Sequence, residues 1–155
     1  MVLGALSGVA ATAAMTVFTV GAQRLGLLGS HPPRVITGRM LRRLGIHPPA
    51  AVEEGLALGA HVAFGAGGGA LFAWVDGALP RKWPTFAVGA AYGLAIWATS
   101  YEGWIPALRA MPPAHRDRPF RPTTMFLGHV IYGAALAYLT RATHREPALE
   151  AHAAG

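Results

Sequence analysis

The sequence predicts an all-α fold, a four-helix transmembrane bundle, and three observations carry that expectation. Of the 155 residues, 53% are hydrophobic and 13% charged, with a mean hydropathy of +0.37, against the roughly 25% charged residues of a soluble domain. Four apolar runs approach the ~20 residues needed to cross ~30 Å of hydrocarbon at ~1.5 Å per residue. The polar residues inside those runs also recur: "GAHVAFGAGGGALF" (Gly59–Phe72) and "LGHVIYGAALAYL" (Leu127–Leu139) each set a His in apolar sequence, with an aromatic-Gly pair three and four positions on.

The first span, about 2–22, carries no charge. Nothing basic precedes Arg24 and the run is too long for a signal-peptide core, so this helix is expected to be retained. After it comes "SHPPRVITGRMLRRLGIHPPA", in which Pro-Pro blocks at 32–33 and 48–49 break helix on either side. Ile36, Met40 and Leu44 recur at four-residue spacing between them, with Arg34, Arg39, Arg42 and Arg43 around the rest of the turn, which predicts a short amphipathic helix lying on the membrane surface. The alternative is a solvated basic loop. The second span, about 56–75, is bounded by Glu53, Glu54 and Asp76; the third, about 85–105, runs through Glu102 into "GWIPAL"; the fourth, about 123–140, stops at Arg141. A single transmembrane domain over 1–142 and a polar tail over 143–155 follow.

The two histidine phrases lie 68 positions apart, His61 and His129, and "GALSGVAAT" (Gly4–Thr12) matches "GAAYGLAIW" (Gly89–Trp97) in the helices before them. The chain therefore reads as two tandem helix-loop-helix repeats, which enter the membrane from the same side and are related by an axis along its normal. Gly4 with Gly8, Gly65 with Gly69, and Gly89 with Gly93 form Gly-x-x-x-Gly pairs that let helices approach closely where lipid supplies no hydrophobic drive. An even number of spans puts nine basic residues, in 24–50 and 105–122, on one face and four on the other. The positive-inside rule makes both long connections cytoplasmic and both termini external.

Depth along the helices puts His61 and His129 ~8–13 Å into the membrane, each with a Gly one turn later that leaves room for a neighbouring backbone, a water or a ligand. Thr16 and Thr19, with Thr99, Ser100 and Tyr101, are expected near that layer. Three readings stay open. The histidines are interhelical hydrogen-bonding glue; or, with Glu102 and Glu53, they form a titratable cluster that moves protons or ions; or they are axial ligands to a haem b between the second and fourth spans. Glu102, inside the interfacial pair Tyr101 and Trp104, is alternatively a salt-bridge partner for Arg109, Arg118 or Arg121.

With no cysteine, disulfides, iron–sulfur clusters, covalent c-type haem and thiolate zinc sites are excluded. The formal charge of +6 sits in loops between apolar runs, not along a nucleic-acid-binding face, so the expected partner is the lipid bilayer and not nucleic acid. No nucleophile elbow, zinc-protease motif, Walker loop or nucleotide fingerprint is present, which leaves an enzyme without support and the cofactor unknown. The "SYEGWIPAL" passage followed by "MPP", and the His-x-x-Tyr-Gly helix of His129, resemble small bacterial inner-membrane proteins of the YagU-like type, most strongly from Gly89 to Leu139. That resemblance implies a multi-pass inner-membrane protein with a role in acid or envelope stress, and it supplies no catalytic residue. Two functions remain: handling protons or a small solute, or sensing envelope conditions; and, alternatively, a non-catalytic accessory subunit of a larger membrane complex or a homo-oligomer.

Overall fold

The computed structural model describes residues 1–143, which are helical with no strand among them. The chain runs α1 (Val2–Arg24), α2 (Pro32–Arg43), α3 (Ala50–Gly77), α4 (Thr85–Trp97), a π-helical segment (Ala98–Trp104), α5 (Ile105–Ala107), a 3-10 turn (Ala114–Arg116) and α6 (Arg121–Thr143). Two of these, α1 and α3, are long and apolar enough to cross a membrane. The tail expected from 143 lies outside the described residues, apart from Thr143, which ends α6.

Local chemistry accounts for the boundaries. Pro32 and Pro33 occupy the first turn of α2, where a missing N–H costs nothing, and Gly45 takes the left-handed φ of 72° just past its end. The second apolar helix begins at Ala50, earlier than expected, directly after Pro49. Its extra turns are polar because Glu53 and Glu54 meet arginines of α2, at 3.8 Å for Arg42–Glu53 and 2.6 Å for Arg34–Glu54.

The third expected span is not one regular helix. Thr99 Oγ1 donates to the Ala95 carbonyl (2.8 Å) and Ser100 Oγ to the Ile96 carbonyl (2.6 Å), so two hydroxyls compete for the acceptors of the helix ladder. Pro106 then has no N–H to give back to the preceding turn. The helix widens into a π turn over Ala98–Trp104 between these two features.

Packing pairs α1 with α3 and with α6, α4 with α6, and α2 with the start of α3. At two of these crossings the backbones touch. A Cβ at Gly8 would fall on the Gly65 carbonyl, and one at Gly65 on the Thr12 hydroxyl; across the other crossing, a Cβ at Gly93 would fall on the His129 carbonyl, and one at Gly89 on that of Gly133. Gly4 and Gly69 close the first crossing in the same way. The registers differ, however. Gly8 faces Gly65 while its sequence counterpart Gly93 faces His129, so the second pair is slid one turn relative to the alignment that matches His61 with His129. The two histidines are therefore not equivalent positions in their helix pairs.

Large apolar side chains lie on the outside of every long helix, among them Leu6, Val17, Leu58, Trp74, Phe86 and Tyr138, all exposed. Inside, glycines line the helix crossings while Phe72, Tyr101 and Leu136 fill the core. On α2, Ile36 and Met40 turn inward against the core, whereas Leu44 lies beyond the helix end and is 71% exposed.

Candidate functional site

Beneath α2, bordered also by α1, α3, the π-helical segment and α6, lies a cavity of about 240 Å³. His61 and His129 both border it, and a third imidazole, His31, joins them from the start of α2. The His31 and His61 rings meet edge to face at 6.5 Å between centroids. Thr19 Oγ1 donates to the Thr16 carbonyl (3.1 Å), so the His31 Nε2–H, 3.3 Å away, is the donor to the Thr19 oxygen. His129 is buried, and its Nδ1–H donates to the Met125 carbonyl one turn back (2.8 Å), which leaves Nε2 as a bare acceptor. Tyr132 OH ties α6 to α3 by donating to the Gly65 carbonyl (2.8 Å). Sequence reasoning missed His31 because an HPP block reads as a helix stop, and nothing in its local sequence sets it apart from His47 in the second such block.

Ser100 and Tyr101 border the cavity with the histidines, whereas Thr99 and Glu102 do not. Thr99 is exposed on the opposite side of the widened turn. Glu102 is exposed too, and its carboxylate accepts the Ala114 N–H (2.9 Å) in place of an ion pair with Arg109, Arg118 or Arg121. Glu53 is held by Arg42, so no carboxylate of the described residues borders the cavity. Thr19 lies on its wall and Thr16 does not.

The clearance expected for a haem over the glycines is taken up by protein. At Gly65 the space is filled by the Thr12 side chain, and at Gly133 by the backbone of Gly89 and Gly93, so of the occupants considered the neighbouring backbone fills only the second gap. Among the described residues no three His, Asp or Glu side chains are grouped to hold a metal ion.

The four arginines of α2 have partners within the chain. Arg34 and Arg42 meet Glu54 and Glu53, while Arg39 Nη1 donates to the Ala110 carbonyl (2.8 Å) and Arg43 Nη1 to that of Leu108. The last two carbonyls close the helix that ends at α5, where cations also oppose the negative end of its dipole. Nearby, Arg121 pairs with Asp117 (2.9 Å), Tyr101 OH donates to the same carboxylate, and Arg121 Nε donates to the Leu28 carbonyl (2.9 Å). The cover over the cavity is thus bonded to both the first connection and the third.

At the far end of the molecule, Asp76 and Arg141 form a buried pair that sequence analysis treated only as the ends of two spans. Arg141 Nε and Nη2 reach Asp76 Oδ1 at 3.0 and 2.8 Å, Nη1 donates to the Trp83 carbonyl (2.9 Å), and Arg81 adds a second cation at 2.9 Å.

Burial holds His31 below the ordinary histidine pKa, so the folded protein resists its protonation. The unfolded chain binds that proton first, near pH 6.5. Stability should therefore be level above that pH and fall as pH drops below it, until the folded state also protonates. Thermal midpoints in detergent from pH 8 to 5 should show this decline, and His31→Gln should flatten part of it; an unchanged slope would mean His31 is not seated as described.

A family described as "Family of unknown function (DUF6789)" matches residues 1–151. The match covers both helix pairs and α2. No curated protein and no solved structure matches the chain.

Proposed function

We propose that this chain, which belongs to the DUF6789 family, is a four-span bacterial inner-membrane protein that holds a small solute in the cavity bordered by His31, His61 and His129. The observation that carries the reading is the cavity itself, a partly open space bordered by the two membrane-length helices α1 and α3 and lined by three imidazoles. Two alternatives are less well supported. A proton relay would want free carboxylates beside the histidines; Glu53 and Glu54 share a neighbouring pocket with His31 and His61 but are paired with Arg42 and Arg34, and Glu102 accepts the Ala114 N–H. An accessory subunit would present a small-residue face to a partner; Gly4, Gly8, Gly65, Gly69, Gly89 and Gly93 are used in contacts within the chain, and Gly55, Gly59 and Gly67 of α3 are left with open space beside them.

Four spans are supported by the outward apolar side chains of α4 and α6, such as Phe86 and Tyr138, as well as those of α1 and α3. A duplicated helix pair is supported by the two glycine crossings, with the second slid by a turn. The inward placement of both long connections is supported by their mutual contacts, since the nine basic residues they carry then share one face. Cysteines introduced at Ser30 and Ala114 should accordingly be labelled from the cytoplasm, and one at Ala78 from outside. Labelling of Ala78 from the cytoplasm would reverse the orientation.

The functional reading is tested by gentle detergent extraction and mass spectrometry of what co-purifies. A small molecule should accompany the wild-type chain and be lost from Ala60→Phe, which fills the cavity, with the fold retained. Recovery of a stoichiometric protein partner and no small molecule would favour the accessory-subunit reading.

A further inference from the structure

The cavity wall is unevenly supplied with protons. Thr12 Oγ1 donates to the Gly8 carbonyl (2.8 Å), Thr19 to Thr16, Ser100 to Ile96, Tyr101 to Asp117 and Tyr132 to Gly65, so five hydroxyls on the wall have already committed their hydrogens to the protein. Among the described residues Thr37, on α2, is the lining hydroxyl without such an acceptor. The His129 Nδ1–H is likewise committed, which turns its Nε2 lone pair toward whatever occupies the space. No bond to the protein fixes the tautomer of His61. What the wall offers is chiefly lone pairs, plus the Thr37 hydroxyl on α2 and one imidazole able to give or take a proton.

A ligand must complement that pattern. An anion would bring more lone pairs into an apolar space and find no cation on the wall; an ammonium would be buried without a carboxylate partner. A neutral hydroxyl fits, because it donates to His129 Nε2 and accepts from His61 while the rest of the molecule meets Met15, Ile96 and Met125.

Part of the wall faces the outer surface of the helices. Phe64 on α3 and Trp104 on the π-helical segment border the cavity, yet they are 51% and 40% exposed on the outer surface, with ring centroids 6.2 Å apart. Deeper in the bundle α3 and α4 are joined by firmer contacts, Tyr92 OH donating to the Gly68 carbonyl (2.6 Å) and Phe72 packed on Tyr92. On the side of α2, Arg39 and Arg43 are bonded to the third connection, and a second pocket lined by Arg34, Arg42, Glu53 and Glu54 also reaches His31 and His61.

Resting on the solute reading above, we propose that the occupant is a membrane-dissolved neutral alcohol or phenol that enters from the lipid by parting Phe64 from Trp104 and sets its hydroxyl against His129 and His61. The test uses the whole chain in lipid nanodiscs with tritiated 4-butylphenol as probe, protein-free nanodiscs being subtracted. Saturable binding is expected, with the phenol about tenfold tighter than its methyl ether, which lacks only the donor. His129→Leu should erase that preference; if this variant fails to fold, the phenol-to-ether ratio on the wild type decides. Equal binding of phenol and ether would overturn the alcohol class and leave the solute reading standing. No saturable binding of either would instead sink the solute reading along with it. For the route, Phe64→Ala with Trp104→Ala should raise the association rate about fivefold or more, as expected for loss of a gating contact. A rate unmoved by that pair but raised by Arg39→Ala with Arg43→Ala would move the route to the α2 face.

Discussion

Asp76→Leu is expected to destabilise the protein by about 3–5 kcal/mol, the cost of leaving a buried cation without its partner. Asp76 is 1% exposed and the Arg141 side chain 7%, and Arg141 is the group that joins the end of α3, the α3–α4 turn and the end of α6. Once the carboxylate is removed, the guanidinium keeps only the Trp83 carbonyl and the Thr85 hydroxyl. The double replacement Asp76→Leu with Arg141→Met removes both charges and should recover most of the loss, because well-packed apolar groups can replace an ion pair at little cost. Denaturant titration in mixed micelles measures both. A single variant within about 1 kcal/mol of wild type would mean that the pair is hydrated and contributes like a surface bridge.

Gly93→Ala is the second large effect. Its Cβ would land on the carbonyl oxygen of His129, so α4 and α6 must separate along their whole crossing, at a cost of about 1–3 kcal/mol or more. Separation there also displaces His129, which links helix packing to the cavity. Gly67→Ala is the matched control. It sits in a helix with nothing within 4 Å of the new methyl, and removing a helical glycine should stabilise by up to about 1 kcal/mol. Opposite signs for two Gly→Ala changes in one protein would identify the crossing as the cause. Equal effects would place the glycines of α4 at a face open to lipid.

These two effects also separate what could be read from the sequence from what could not. Gly4, Gly8, Gly89 and Gly93 were legible because a missing Cβ has one main use between helices in lipid, close approach. Which turn of the partner helix they approach was not, since a one-turn slide preserves every Gly-x-x-x-Gly spacing and changes only the facing residue, Gly65 in one case and His129 in the other. His61 and His129 stood out as polar groups in apolar runs, and both border the cavity. His31 did not, because its neighbours Pro32 and Pro33 suggest a break in the chain, and only the fold of α2 over the helix ends brings it inward. Glu102 misled for a different reason. A carboxylate near a membrane suggests an ionic partner, but the N–H of Ala114 satisfies it. Asp76 and Arg141 were taken as limits of their runs; charges 65 positions apart can be recognised as one buried pair only when the ends of α3 and α6 are known to coincide.

The bonds that seat α2 have a consequence for how the protein is made. Residues 32–43 leave the ribosome early, yet the carbonyls that receive Arg39 and Arg43 belong to Ala110 and Leu108, and the Leu28 carbonyl just before α2 waits for Arg121. Synthesis is vectorial, so Arg34 and Arg42 can meet Glu54 and Glu53 soon after α2 is made, while for some seventy residues of translation Arg39 and Arg43 have no acceptor in the chain. Half of the arginines of α2 thus find their acceptors late, and the cover of the cavity is fastened on its second side only as the last helix begins.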